Sequence, residues 1–179
     1  EISNCASYCV YVAGGKHNFV HNTIAAYYGY PYTNLNIHNN ILADDVAAVY
    51  INNLSKNNAK TNSSFSNCII TGGRKNNLVV ATPLSDYYEG RFEGNYLRTD
   101  SLDEVYAKNN VYASDSDSCV FRNIYYLYKE YHYYDFRLDS LSPARGIGDS
   151  IVALSYPQDR AGNRRKQYPD AGCYEYIEE

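Results

Sequence analysis

The sequence predicts an all-β protein in which short parallel strands stack into a coil, and three features of the chain lead to this prediction. An Asn-centred motif recurs at irregular intervals, strand-like runs lie between its copies, and a Pro- and Gly-rich segment closes the chain. Hydrophobic residues make up 45% of the 179 positions, and 22 residues are Tyr. A disordered chain would be poor in aromatic residues, so we expect one folded domain with a core.

The recurring motif is a polar or small residue, then Asn, then a variable residue and usually an aliphatic one. Its Asn residues are Asn4, Asn22, Asn39, Asn67, Asn95 and Asn109. Their spacing varies too much for stacked helix pairs, which fix a repeat length, but it suits short strands joined by turns of different lengths. Turns of such a coil stack about 4.8 Å apart and bring equivalent residues together. We therefore expect Asn22, Asn39 and Asn67 to form one buried column of bonded amides, and the same Asn to adopt the left-handed backbone of the bend.

The runs between the motifs have the composition of strands. β-Branched and aromatic residues alternate in them, and Gly and Asn pairs separate them. The clearest runs are 10–12, 18–20, 35–37, 48–51 and 78–80. No long stretch follows the periodicity of a helix.

Two parts of the chain resemble the right-handed parallel β-helix of the pectin-lyase-like superfamily. Residues 19–24 and 35–41 look like the HNT and NNI rung sequences of that family, and residues 135–176 are similar to the closing segment of secreted bacterial β-helix proteins. In those proteins the closing segment reads roughly "L…SPAI..G…D..G..R…PDIGAYE". In this chain, Arg145 and Cys173 stand where an aliphatic residue and Ala are usual. The resemblance implies β-helix rungs with an Asn ladder in residues 1–134 and a C-terminal cap of the same domain in 135–179.

The predicted cap also has a physical reason. Pro143, Pro157 and Pro169 cannot donate to a strand ladder, so they end strands. A polar segment rich in Pro and Gly is suited to cover the unpaired strand edges at the end of a coil. We expect it to play no catalytic part.

The cysteines and charges exclude several classes of protein. Five cysteines, in positions 5, 9, 68, 119 and 173, match no zinc motif, so we expect most to be buried and reduced, with at most one disulfide whose partners the sequence does not identify. Cys5 and Cys68 are predicted to occupy the same position after the motif Asn. The net charge is −4 and the basic residues form no stripe along the sequence, so the charge pattern does not fit a nucleic-acid-binding surface. No apolar run is long enough to span a membrane.

The chain begins at Glu1 and contains no Met, so we expect a fragment or a processed product whose export signal lies upstream. The resemblance implies a secreted or cell-surface protein. An upstream β-helix segment is a further possible partner, which would pair with the first rung.

Candidate catalytic residues are Asp44 and Asp45, because hydrolases of the superfamily use carboxylate pairs as acid and base. The alternative is a solvated turn, and the other motifs that those hydrolases need are missing. The residues themselves identify no cofactor, and calcium is implied by the resemblance alone. Whether the chain is an enzyme stays open.

Candidate carbohydrate-binding residues are aromatic and basic. They are Tyr27, Tyr28, Tyr30, Tyr32, Arg74 and Lys75. An exposed Tyr ring stacks on a sugar and its hydroxyl hydrogen-bonds, whereas the alternative for these tyrosines is core packing. His21 and His38 precede the motif Asn in successive copies and form a candidate metal pair or sugar contact, with a stacked polar pair on the outer face as the alternative.

The sequence therefore predicts an extracellular or cell-surface protein that binds or processes polysaccharide. One alternative is a structural surface module, adhesin-like and without catalysis. Another is a polysaccharide lyase or glycoside hydrolase whose active site lies largely upstream.

Overall fold

The computed structural model describes residues 1–5, 7–27, 47–53, 60–81, 88–100, 102, 106–114, 117, 119–124 and 134–178. These residues form mostly strands in parallel sheets, which confirms the predicted all-β class. The strands are β1 (Ile2–Ser3), β2 (Val10–Val12), β3 (Gly15–Val20), β4 (Thr23–Ala26), β5 (Val49–Ile51), β6 (Thr61–Ser66), β7 (Ile69–Gly72), β8 (Leu78–Val80), β9 (Tyr88–Glu93), β10 (Tyr96–Leu97), β11 (Ala107–Lys108), β12 (Val111–Tyr112), β13 (Phe121–Asn123) and β14 (Asp135–Leu138). A short helix, α1 (Ser150–Leu154), follows them.

Three parallel sheets contain most of these strands. Sheet 1 has the order β1-β4-β7-β10-β12, sheet 2 has the order β3-β6-β9-β11, and sheet 3 has the order β2-β5-β8. The chain passes from sheet 2 to sheet 1 and then to sheet 3, as in β3, β4, β5 and again in β6, β7, β8. Strands β13 and β14 form a separate antiparallel pair. Where the structure describes the chain, no helix is long and apolar enough to cross a membrane.

One hydrophobic core lies between the three sheets. In sheet 2, Phe19, Phe65 and Phe92 are in register and their rings stack in parallel, with centroids 4.6 and 5.3 Å apart. Residues of β4, β7 and β10 in sheet 1 and of β2, β5 and β8 in sheet 3 join the same buried cluster. Alternate residues of each strand therefore point to a shared interior, as the pleat of a strand requires.

The opposite face of sheet 1 is buried as well. Ala25, Ile69 and Tyr96 point to this face, and they pack in a second cluster with β13, β14, Ala144 and Ala171. Strands that are buried on both faces carry consecutive apolar residues, which explains Ile69-Ile70 in β7 and Tyr96-Leu97 in β10. The contacts of the C-terminal segment, residues 139–178, thus run along the side of sheet 1, and its predicted role as a cap over the last rung stays a prediction.

A buried polar network holds the C-terminal segment together. The carboxylate of Asp159 accepts hydrogen bonds from the backbone N–H groups of Ala161, Asn163 and Glu175, and Arg165 donates to Glu175 at 2.8 Å. The side chains of Arg165 and Glu175 are 3% and 0% exposed, and Asp170 accepts from two further backbone N–H groups. Breaking a buried ion pair by removing one partner is strongly destabilising. The polar residues of the closing sequence are therefore structural, and Cys173 is buried, as predicted.

The bend from sheet 2 to sheet 1 consists of two residues in every pass that the structure describes. The first has a positive φ, and these residues are His21 (51°), Asn67 (54°), Gly94 (66°) and Asn109 (55°). The second is Asn22, Cys68, Asn95 or Asn110. The left-handed conformation suits Gly and Asn, so the expected bend geometry is present at Asn67 and Asn109.

The amide ladder runs through the second bend position. Asn95 Nδ2 donates to Asn110 Oδ1 at 2.9 Å, and Asn95 Oδ1 accepts from the backbone N–H of Cys68 at 2.7 Å. The backbone N–H of Asn22 donates to Cys68 Sγ at 3.4 Å. The predicted column was therefore wrong by one residue at Asn67, which aligns with His21, and Asn39 lies outside the described residues. Cys5 was also misplaced, since it follows β1 in sheet 1 and does not share the position of Cys68.

Candidate functional site

Three tyrosines meet on the outer surface of sheet 3. Tyr11 and Tyr50 are register partners at the centres of β2 and β5. Their strand neighbours, such as Val12 and Ile51, are buried in the core, so the pleat directs the two Tyr side chains outward. Tyr8, which precedes β2, lies against both rings. Tyr8, Tyr11 and Tyr50 are called the tyrosine patch below.

The rings of the tyrosine patch form a continuous aromatic surface. Tyr11 and Tyr50 stack with centroids 5.7 Å apart and planes 8° from parallel. Tyr8 lies 4.7 Å from Tyr50 and 5.8 Å from Tyr11, tilted by 36° and 44°. Tyr11 is 54% exposed, and Tyr8 and Tyr50 are half-buried. Contiguous exposed aromatic surface often marks a binding site, because the ring faces are apolar and the hydroxyl groups are polar.

Sequence reasoning missed the tyrosine patch, although a signal for it was present. Both Tyr11 and Tyr50 occupy the middle of a three-residue apolar strand, Val-Tyr-Val and Val-Tyr-Ile. An odd-even pattern of this kind places the two Tyr residues on the same face if the strands pair in register. The register depends on the chain between the strands, so the sequence alone did not establish the pairing.

Of the predicted tyrosines, Tyr27 belongs to the core. It is 4% exposed, its hydroxyl lies 3.4 Å from Thr71 Oγ1, and its ring packs near Phe121 and Phe136. This is the alternative of core packing that the sequence left open. The remaining tyrosines of this stretch, Tyr28, Tyr30 and Tyr32, lie outside the described residues and stay predictions.

The predicted basic residues lie in the loop after β7. Lys75 Nζ is 3.7 Å from Asp100 Oδ1, and both side chains are mostly exposed. The backbone carbonyl of Arg74 accepts a hydrogen bond from the Asn77 side chain at 2.7 Å. An exposed ion pair of this kind contributes little to stability. The candidate acids, Asp44 and Asp45, lie outside the part of the chain that the structure describes.

His21 is buried between the bend and the C-terminal segment, not on an outer face. Its Nε2 is 3.1 Å from Asn67 Nδ2, and the ring of Tyr156 packs against it at a centroid distance of 6.4 Å. Burial, reinforced by the positive charge of Arg165, lowers the pKa of His21 to about 3. Its candidate partner His38 is outside the described residues. Within those residues, no group of three His, Cys, Asp or Glu side chains is placed to hold a metal ion.

The fold and this surface together define an all-β protein of parallel sheets with a partly exposed aromatic patch. No family model, curated protein or solved structure matches the chain.

Proposed function

We propose that this protein is a right-handed parallel β-helix of the pectin-lyase-like kind, secreted or held at a cell surface, that binds polysaccharide through the tyrosine patch. The observation that carries the proposal is the stack of the exposed Tyr11 on the half-buried Tyr50, beside the half-buried Tyr8, on a regular sheet. The proposal contains no catalytic step.

The order of the strands supports the β-helix. Each pass of the chain adds one strand to sheet 2 and one to sheet 1, and two successive passes then add β5 and β8 to sheet 3. All pairings within these sheets are parallel, with the same register of core residues from pass to pass. A coil of stacked rungs produces this pattern, and right-handed crossovers are the general rule for parallel strands.

The chemistry of the tyrosine patch supports a glycan as the ligand. The face of a sugar ring presents C–H groups that pack on an aromatic ring, and its hydroxyl groups exchange hydrogen bonds with the Tyr hydroxyls. Tyr11 and Tyr50 project from paired strands and their rings stack on each other, so backbone and side chains are already ordered before a ligand binds. Ordered side chains lose less conformational entropy on binding, which favours affinity.

A glycan array with the full chain tests the proposal. We expect the wild-type protein to bind one or more polysaccharides, and Tyr11→Ala and Tyr50→Ala to weaken that binding by up to about tenfold each. An aromatic contact contributes about 0.5–1.5 kcal/mol beyond its buried area, and 1.4 kcal/mol is a factor of about ten. Tyr11→Phe separates stacking from the hydroxyl group. An arm with calcium and an arm with a chelator test the ion that the resemblance implies.

Tyr168→Ala is the matched control, because Tyr168 is 70% exposed in the C-terminal segment and is not part of the tyrosine patch. It should bind like the wild type. Absence of binding to every glycan would instead favour the structural surface module, and binding that Tyr11→Ala and Tyr50→Ala leave unchanged would remove the tyrosine patch as the site.

A further inference from the structure

Two thiol groups lie at the corner between sheet 1 and sheet 3. Cys5 follows β1 and Cys9 precedes β2. Cys5 Sγ lies 3.8 Å from the carbonyl oxygen of Ser3, and Cys9 Sγ lies 3.9 Å from that of Ala25. Ser3 and Ala25 are register partners in β1 and β4, so both sulfur atoms are held against the same pair of strands.

The two thiols are also close enough to influence each other electrostatically. Burial raises the pKa of the Cys9 thiol, and the neighbouring Cys5 thiol raises it further. Asn4 has a φ of 54°, the left-handed conformation that turns the chain at this corner. The sulfur contacts and the register of β1 with β4 therefore place both thiols at the same corner.

Exposure distinguishes this pair from the buried cysteines. Cys5 and Cys9 are half-buried, whereas Cys68 and Cys173 are buried. A small oxidant can reach the first pair without unfolding of the chain. Burial raises the pKa of the Cys9 thiol to about 11, so Cys9 is protonated at neutral pH and reacts faster as the pH rises.

We infer that Cys5 and Cys9 are a disulfide-forming pair, which closes the corner between β1 and β2 when the protein meets a disulfide oxidant. In the first step one thiolate attacks the S–S bond of the oxidant, such as oxidised glutathione, and one glutathione thiol leaves. The second thiolate then displaces the other glutathione from the mixed disulfide. The balance is two protein thiols and one glutathione disulfide giving one protein disulfide and two glutathione thiols.

This bond would secure the first strand of sheet 1. Among the described strands, β1 pairs with β4 alone and is short, so it depends on the corner for its position. A disulfide restricts the unfolded chain and stabilises the segment that it closes. An oxidising environment would therefore stabilise this corner, independently of any glycan at the tyrosine patch.

Peptide mapping of the folded wild-type protein tests the inference. The protein is incubated with oxidised glutathione at pH 8.5, free thiols are alkylated in denaturant, and the chain is cut with trypsin without reduction. Lys16 is the first cleavage site, so residues 1–16 contain Cys5 and Cys9 and no other cysteine. We expect this peptide to be two hydrogen masses lighter than its reduced form and to carry no alkyl group.

Two variants and a melting measurement complete the test. Cys5→Ser should abolish the light peptide and the rise of a few degrees in Tm that oxidation gives the wild type, whereas Cys119→Ser should retain both. Recovery of peptide 1–16 with two alkyl groups, or linked to another cysteine peptide, would overturn the inference. The wild-type peptide decides the question by itself if Cys5→Ser does not fold.

Discussion

The side-chain amide of Asn67 pairs with the backbone of Asp149 in both directions. Asn67 Oδ1 accepts from the Asp149 N–H at 2.7 Å, and Asn67 Nδ2 donates to the Asp149 carbonyl at 2.9 Å. Asn67 is fully buried at the bend between sheet 2 and sheet 1, and Asp149 is the N-cap of α1. One side chain therefore joins the bend to the C-terminal segment, and the pairing fixes which end of its amide faces His21.

Replacement of Asn67 by Ala should destabilise the protein by about 2–4 kcal/mol. The change leaves the half-buried N–H and carbonyl of Asp149 without their partner, and an unsatisfied buried group costs about 1–3 kcal/mol. Unfolding in urea measures the difference. Asn62→Ala is the control, since Asn62 bonds to Glu89 on an exposed surface and should cost less than about 0.5 kcal/mol. Equal stability of the two variants would contradict the joining role of Asn67.

Acid should destabilise the protein through His21. Because Asn67 Nδ2 is held toward His21 Nε2, that nitrogen accepts a hydrogen bond and the folded state favours the neutral ring. The folded pKa of about 3 is below the unfolded value of 6.5, so the folded state binds fewer protons and the stability falls as the pH drops from about 6.5 toward 3. The slope from this residue approaches about 1.4 kcal/mol per pH unit.

His21→Asn isolates this effect, because Asn accepts the left-handed conformation and does not titrate. The free energy of unfolding of the variant should depend less on pH between 6.5 and 4 than that of the wild type. The loss at lower pH from Asp135 and Asp159, whose pKa values are lowered, should be common to both proteins. Parallel pH profiles down to pH 4 would show that His21 is not the acid-sensitive group.

Gly172 and Gly162 provide a matched pair for the contact between the C-terminal segment and sheet 1. Their φ angles are nearly equal, at 90° and 88°. A Cβ on Gly172 would lie 2.7 Å from both Ile69 Cδ1 and Thr23 Oγ1, whereas one on Gly162 would meet nothing within 4 Å. Both Ala variants should be destabilised by the positive φ, and Gly172→Ala should lose about 1–3 kcal/mol more stability from overpacking. Thermal unfolding compares them, and equal Tm values would show that the segment yields at this contact.

Deletion of the chain after Leu141 should cause aggregation. The deletion removes Ala144 and Ala171 from the outer face of sheet 1 and exposes Ala25, Ile69 and Tyr96. Apolar surface of this kind, on regular strands, favours association. Light scattering on the truncated chain measures it, with removal of residues 178–179 as the control. A soluble, folded monomer would mean that 142–177 is an appendage and that the proposed single domain is incorrect.

The Asn motif predicted the parallel strands because it is a local signal, repeated at each bend. It did not predict the register, because His21-Asn22 and Ser66-Asn67 look alike in sequence. In the structure, Asn22 is the second residue of its bend, whereas Asn67 is the first residue of the next bend. Only the pairing of β4 with β7 shows that Cys68, not Asn67, lies level with Asn22. For this reason the left-handed conformation and the amide ladder, which were both expected of one Asn, belong to two consecutive residues.

The sequence contains a signal that sheet 1 is covered on its outer face, where the C-terminal segment packs. Two consecutive apolar residues in a short parallel strand, as in Ile69-Ile70, indicate burial on both faces, and the interior covers only one of them. The tyrosine patch is different, since its formation depends on the pairing of β2 with β5, which are distant in sequence. No local sequence pattern specifies that β5 is the strand with which β2 pairs.

The constant two-residue bend determines where the chain can tolerate insertions. All four described bends from sheet 2 to sheet 1 have the same length, and each is fixed by a left-handed residue, whereas the return from sheet 1 to sheet 2 takes residues 27–60, 73–87 and 98–106. A peptide inserted into a bend would shift the register of every strand that follows in that pass. The first two return connections contain β5 and β8, and insertions outside these strands leave the register unchanged. New recognition loops can therefore accumulate during evolution in the return connections, while the bends on the opposite side keep their geometry.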